Sequence, residues 1–383
     1  MTKPYTLYGS YASYYTAKSR SYLRKKGIPF VERLPSDPMF RNKVRPGSGS
    51  HRIPQLLTPE GEVIQDSTEI LDTLEIRFPA LPAIPATPRQ RSFVHLMELL
   101  ASDGLVRLAW LHRWLFEENR NFVIRDFGRS FRPQGSDEEL LKYGNLIAER
   151  MMSYGLPESS PEARAALDEK YLKLLSLFEA HLTSHPYFLG GHPSAADYAI
   201  MGALHAHLGR DPAGLRLMQD NALRVFRWVE QMLLPEVQSP EFFSTPIDYP
   251  PDDTVPESAL AVLRFIADEY GEPFVLGSLA FNQAMARLDP APGYQLDSEH
   301  DQPQLPLDKV LYCGVKHEHA ANLHGVWLAQ RSQSFFQDQS AAVRGQISDM
   351  LANDTLRDLI SVPVTHLLSR ENNRLLIRAT GSE

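Results

Sequence analysis

Pro54 interrupts the apolar run RIPQLL (residues 52–57), and the pair Asp66-Ser67 opens the helix-patterned segment that follows it. A proline removes a ladder hydrogen bond from a strand, so it is tolerated at edges, at bulges, or where the chain turns through a cis peptide bond. A cis Ile53–Pro54 bond would turn the Ile53 N–H and C=O toward open space, where an extended peptide could pair with them as an added strand. The first amides of a helix starting at Asp66-Ser67 are unpaired and favour an anion. Together the two features suit a ligand that is both a short peptide and an anion. Asp66 and Glu69 also form a D-x-x-E capping box, which stabilises a helix whether or not anything binds there.

These residues belong to a chain of 383, of which 43% are hydrophobic and 22% charged, the balance of a globular protein with room for two or three cores. A formal charge of -8 gives no broad basic footprint, so nucleic acid is not an expected partner. The start, MTKPYTLYGSYASYYTAK, lacks the apolar stretch of a signal peptide, and no later run reaches the ~20 residues that span a bilayer. The expected location is cytoplasmic, without a membrane partner. Cys313 is the single cysteine, which excludes a disulfide framework, a CxxC redox pair and a multi-cysteine zinc site.

The elements that must position Pro54 and Asp66 follow from periodicity. YTLY (5–8) reads as a strand, AKSRSYLRKKG (17–27) as a helix stopped by Gly27, and FVERL (30–34) as a second strand, a βαβ unit with a parallel pair. IPQLLT and EVIQD, joined by PEG, fit a hairpin, and residues 67–78 carry Ile70, Leu71, Leu74 and Phe78 on one stripe. Prolines at 79, 82, 85 and 88 make a stiff linker. From 89 to about 235 the pattern is helical, with one long helix expected over RSFVHLMELLASDGLVRLAWLHRWLFEEN and another opened by a capping box at Ser194 and Asp197. His112 and Arg113 read as solvated.

The stretches YLRKKGIPF, IPQLL with EVIQDSTEIL, and YFLGGHPSAADYAIMGALHAHL resemble, in order and spacing, three motifs of the glutathione transferase superfamily across residues 5–240. The resemblance implies an α/β thioredoxin-like N-terminal domain (1–80), a linker (81–88), an all-α helix-bundle domain (89–240), and beyond them a mixed, mostly helical extension (241–383) of no recognised family. It implies that glutathione is the co-substrate, with Ile53 and Pro54 at its cysteinyl unit and Asp66 and Ser67 at its γ-glutamyl end. Lys43, Arg45, His51 and Arg52 are the candidates for its glycyl carboxylate, with no choice made among them. A homodimer is also implied.

In the superfamily a hydroxyl or thiol in the loop after the first strand holds the glutathione sulfur, and counting back from AKSRSYL places Ser13 there; Ser10, Tyr14, Tyr15 and Thr16 compete. The loop lacks the proline common in the family. Without a cysteine in it, reactions through a mixed protein–glutathione disulfide lose their nucleophile. Tyr14, Trp110 and Trp114 are candidates to line an apolar electrophile pocket. The expected activity is a serine- or tyrosine-type glutathione transferase. Dehalogenation or ether cleavage by glutathione, and a non-catalytic scaffold working through the extension, are the alternatives.

In the extension, TVPESALAVLRFIADEYG shows a Thr254-x-x-Glu257 capping box and an amphipathic stripe, and Asn372-Asn373 suits a hairpin turn. The cluster Cys313, His317, His319 and His324 has zinc-binding residue types but no zinc-motif spacing, so no metal is expected.

Overall fold

This computed structural model describes residues 3–296 and 322–378, together with the backbone of four short strands between them. Strand β1 (Tyr5–Tyr8), helix α1 (Tyr14–Lys25) and β2 (Phe30–Arg33) form the βαβ unit, with β1 and β2 parallel. Helix α1 starts three residues before the expected AKSRSYL pattern, because Ser13 caps it by accepting from the Thr16 amide. Gly27 ends the segment at φ 64°, a left-handed conformation that glycine adopts without steric cost. A short helix α2 (Arg45–Ser48) precedes the hairpin β3 (Gln55–Leu57) and β4 (Val63–Gln65), and α3 (Ser67–Arg77) closes the unit. The sheet order is β2-β1-β3-β4, mixed as in a thioredoxin-like domain.

The helical half contains α4 (Pro88–Leu99), α5 (Leu105–Leu115), α6 (Glu117–Phe131), α7 (Asp137–Met152), α8 (Pro161–His181), α9 (Ala195–Met201), α10 (Pro212–Asn221) and α11 (Leu223–Met232). The expected single helix over 91–119 is three pieces. A wide turn at Leu100–Gly104, in which the Leu105 amide reaches back to the Leu100 carbonyl, re-phases the chain between α4 and α5, and Phe116 is extended (φ -101°, ψ 113°). His112 and Arg113 are buried rather than solvated. His112 contacts Asp168 at 3.1 Å, and Arg113 pairs with Asp211 at 2.7 Å. The Ser194–Asp197 capping box is present, with both partners fully buried.

The extension adds α12 (Glu257–Tyr270), α13 (Glu272–Leu288), the two-stranded ladders β5 (Gln304–Pro306) with β8 (Ala320–Asn322) and β6 (Val310–Tyr312) with β7 (Val315–His317), then α14 (Leu323–Gln337), α15 (Ala341–Leu351), α16 (Asp354–Ser361) and the hairpin β9 (Leu368–Glu371) and β10 (Arg374–Ile377). Thr254 does not cap α12. Pro256 precedes its first residue, and Glu257 instead reaches forward to Arg264. Asn372 and Asn373 turn the hairpin at φ 48° and 62°.

One apolar core runs through all three segments, from Leu7 and Leu71 through Phe93 and Phe178 to Leu263, Trp327 and Leu356. Helix α14 packs on α4, and α12 on α8. Each such side chain contributes about 1.5–3 kcal/mol on burial, so the extension is built into the body rather than tethered to it.

Candidate functional site

Strand register gathers the site. Tyr8 pairs with Gln55, and Gln55 pairs with Gln65, so the three residues form one row across β1, β3 and β4. Just past that row, at the same end of the sheet, come the loop 9–13, the Ile53–Pro54 bond and the Asp66-Ser67 start of α3. The Ile53–Pro54 bond is cis, as expected from the sequence. Gln55 anchors the segment before it, donating from Nε2 to the Ser50 and Arg52 carbonyls at 2.7 Å each. Neither backbone polar group of Ile53 has a hydrogen-bond partner among the described residues.

The loop hydroxyls differ in availability. Ser13 is half-buried at the N-terminus of α1, where its oxygen accepts from the Thr16 amide at 3.3 Å and its hydrogen remains able to donate. Tyr14 is buried and donates to the Ala101 carbonyl at 2.5 Å, and Tyr15 donates to Asp103 Oδ1 at 3.2 Å. Both tyrosine hydroxyl hydrogens are therefore committed to the helical half. Ser10 is buried, and its carbonyl accepts from Arg20. Thr16 is buried against Gly9, where a Cβ would come within 2.1 Å of the threonine methyl.

Asp66 sits at φ 90°, a conformation costly for a non-glycine residue and one that clusters at functional sites. Its Oδ1 caps α3 by accepting from the Thr68 amide at 2.8 Å, so the D-x-x-E box is not formed as expected. Glu69 is half-buried, and burial pushes its carboxyl up to about 7. The other Asp66 oxygen, Oδ2, lies 2.9 Å from His324 Nε2, and His324 Nδ1 lies 3.0 Å from Asp103 Oδ2. Burial disfavours the charged imidazole, but Asp103 and Asp66 outweigh that and raise His324 to about 9. Burial likewise pushes Asp66 up, yet His324, Arg370 and the Thr68 amide together hold its carboxyl well below the usual carboxylate range. The hairpin β9–β10 lies over the same edge, with Arg370 donating to Gln65 at 2.6 Å, Asn373 to the Ser48 carbonyl at 3.1 Å and Arg374 to the Gly49 carbonyl at 2.8 Å.

Two sequence families match the chain at the parts just described: the glutathione S-transferase N-terminal domain over residues 7–82, and the glutathione S-transferase C-terminal domain over residues 161–231. The chain belongs to the glutathione S-transferase superfamily. Solved structures similar to this transferase-family chain include a glutathione S-transferase from Methylobacterium radiotolerans in complex with glutathione sulfonate (21% identity, 61% of this chain and 96% of that one, TM-score 0.32). Others are the beta-etherase LigF from Sphingobium sp. strain SYK-6 (20%, 61% and 95%, 0.42) and a glutathione transferase from Phanerochaete chrysosporium (17%, 62% and 98%, 0.44). No curated protein sequence matches it.

For this superfamily member, Pro54, Asp66, Ser67 and Ser13 come to one end of the sheet, with Asp66 and Ser67 both buried. Arg52 is exposed and His51 half-buried, and His51 Nε2 lies 3.5 Å from Arg150 Nη2 of α7. Lys43 and Arg45 are exposed. Trp114 stacks on Phe127 at 6.1 Å between ring centres, and Trp110 is half-buried beneath Arg107. A cavity of about 90 Å³ instead lies where the extension meets the wide turn, lined by Tyr15, Asp103, Arg107, Tyr270, Phe274 and Val326.

Sequence reasoning missed Asp103, His324 and Arg370. His324 and Asp66 are 258 positions apart, and no local pattern links them. Of the cysteine–histidine cluster, Cys313, His319 and the side chain of His317 lie outside the described residues, while His324 is spent on two carboxylates. Among the described residues, no helix is long and apolar enough to cross a membrane.

Proposed function

We propose that the chain is a glutathione transferase in which reduced glutathione lies along the Ile53–Pro54 edge and its thiol is activated by Ser13. The observation that carries this reading is the row Tyr8–Gln55–Gln65, because it brings an unpaired backbone edge, a helix N-terminus for the γ-glutamyl end and a capping hydroxyl to one place. Ile53 supplies a free N–H and C=O for the cysteinyl unit, the α3 start with Asp66 and Ser67 takes the γ-glutamyl end, and His51, Arg52 and Arg150 form the basic side for the glycyl carboxylate.

A thiol of ordinary pKa near 8.5 is only a few per cent ionised at neutral pH. The Ser13 hydroxyl and the N-terminus of α1 stabilise the thiolate, whose sulfur then bonds to an electrophilic carbon while the displaced group or π-bond takes the electron pair. Ser13 is favoured over Tyr14 and Tyr15 because its hydroxyl hydrogen has no acceptor among the described residues. The electrophile is apolar in class, and self-association into a homodimer belongs to the same reading and is read out by light scattering.

Calorimetry of reduced glutathione with the wild type and with the Asp66→Ala, Ser67→Ala double variant tests the site. Micromolar to low-millimolar binding that the variant loses is the expected result. Equal binding by both proteins, or none by the wild type, would remove the assignment.

A further inference from the structure

On the glutathione reading, Asp66 is the carboxylate at the γ-glutamyl end able to pair with that group's ammonium. Both of its oxygens already accept a hydrogen bond, Oδ1 from the Thr68 amide and Oδ2 from His324 Nε2 at 2.9 Å. His324 directs its second nitrogen at Asp103 Oδ2, and neither carboxylate can donate when ionised. Both ring nitrogens must therefore carry hydrogens, which makes the ring an imidazolium. A unit positive charge thus stands at hydrogen-bonding distance from Asp66, on the same carboxylate that a ligand ammonium would pair with.

The surroundings hold it there. Tyr15 donates to the other oxygen of Asp103, and Asn322 caps α14 one turn away by accepting from the Gly325 amide at 2.7 Å. Arg370 stacks over Trp327 and donates to Gln65, next to Asp66, adding a second cation from the extension. Asp66 itself is 8% exposed, so an incoming ammonium would have to compete with the imidazolium for a carboxylate that is largely closed to solvent and whose charge is already compensated.

We propose that His324 is a specificity-determining residue that takes the place of the co-substrate's ammonium. The site then recognises its thiol through the carboxylates, the peptide backbone and the sulfur, and accepts carboxyacyl-cysteinylglycine thiols without an α-amino group as readily as glutathione.

The test compares binding of glutathione and of its des-amino analogue, glutaryl-cysteinylglycine, to the full-length wild type, to His324→Ala, and to His324→Ala with Asp103→Asn. The double variant guards against unfolding, since it does not leave two carboxylates facing each other without a cation. The selectivity ratio within each protein is independent of the fraction folded. The wild type is expected to bind the two thiols within about twofold, and each variant to favour glutathione by about tenfold or more, as an ammonium newly paired with a buried carboxylate requires. A wild type that already prefers glutathione tenfold, with variants that keep or lose that preference, overturns the proposal. If none of the three proteins binds either thiol, the glutathione reading itself fails, and His324 has no ligand to replace.

Discussion

Arg331 on α14 and Asp72 on α3 are 259 positions apart in the chain and are joined by two parallel hydrogen bonds, one of 2.9 Å from Nη2 to Oδ1. The guanidinium also lies 3.4 Å from Glu98, which pairs in turn with Lys18 at 2.6 Å, so one charge network, buried at Lys18 and Glu98 and half-buried at Arg331 and Asp72, ties the extension to the first domain and to α4. Among the described residues, Arg331→Ala leaves Glu98 paired with Lys18 alone and Asp72 without an ion-pair partner. A loss of about 1–3 kcal/mol is expected in urea unfolding, between the values for exposed and buried pairs, because Asp72 is half-buried and Glu98 keeps Lys18. A loss below about 0.5 kcal/mol would show that the network is incidental to stability.

The bridge at His324 makes stability depend on pH. Its folded pKa of about 9 exceeds the unfolded value near 6.5, so the folded state holds the proton more tightly. This contribution, on the order of 3 kcal/mol, is complete below pH ~6.5 and is lost as pH rises toward 9. The imidazolium faces Asp66 and Asp103, with the Tyr15 hydroxyl on the other oxygen of Asp103 and Arg370 on neighbouring Gln65. Unfolding curves of the wild type should fall between pH 6.5 and 9 and those of His324→Gln should be flatter there; parallel curves would contradict the charged bridge.

Helices α6 and α7 cross at two glycines. A Cβ at Gly144 would meet the Ile124 carbonyl oxygen at 1.9 Å, and one at Gly128 the Leu140 carbonyl oxygen at 2.1 Å. Backbone cannot yield as a flexible side-chain tip can, so Gly144→Ala should cost about 2 kcal/mol or more despite alanine's better helix propensity. Alanine at exposed Gly345 on α15, which meets nothing within 4 Å, serves as the control and should be neutral or stabilising.

Ser13 is the fourth test. Ser13→Ala is expected to reduce turnover with a generic aryl halide by about 10²-fold while changing glutathione affinity little, since the hydroxyl acts on the thiolate rather than on the peptide. Loss of the cap also costs α1 about 1 kcal/mol, which Ser13→Asp or Ser13→Asn would largely restore without restoring turnover. Unchanged turnover in Ser13→Ala would return the role to another donor.

Much of the first domain, and several turns and caps beyond it, were legible because their signals are local. Alternating strands, a proline at one position, a helix start twelve residues on and the capping box at Ser194 each depend on neighbours within a few residues. The cis bond at Ile53–Pro54, the turn at Asn372-Asn373 and the helical character of the second half follow from such signals. Where local patterns had more than one outcome, tertiary packing chose. Thr254 could cap a helix but does not, and Asp66 caps α3 through Thr68 rather than with Glu69.

The sequence by itself determined the elements, their order and the residues at the sheet end, because periodicity and backbone preference act over short separations. Only the tertiary structure decided which side chains face which. His112 and Arg113 look solvated in sequence but are buried against Asp168 and Asp211, Tyr14 and Tyr15 spend their hydroxyls on the helical half, and His324 and Arg370 reach back to the ligand edge. Charge pairing acts through space, and no short-range pattern records which distant carboxylate a cation will meet once the core closes.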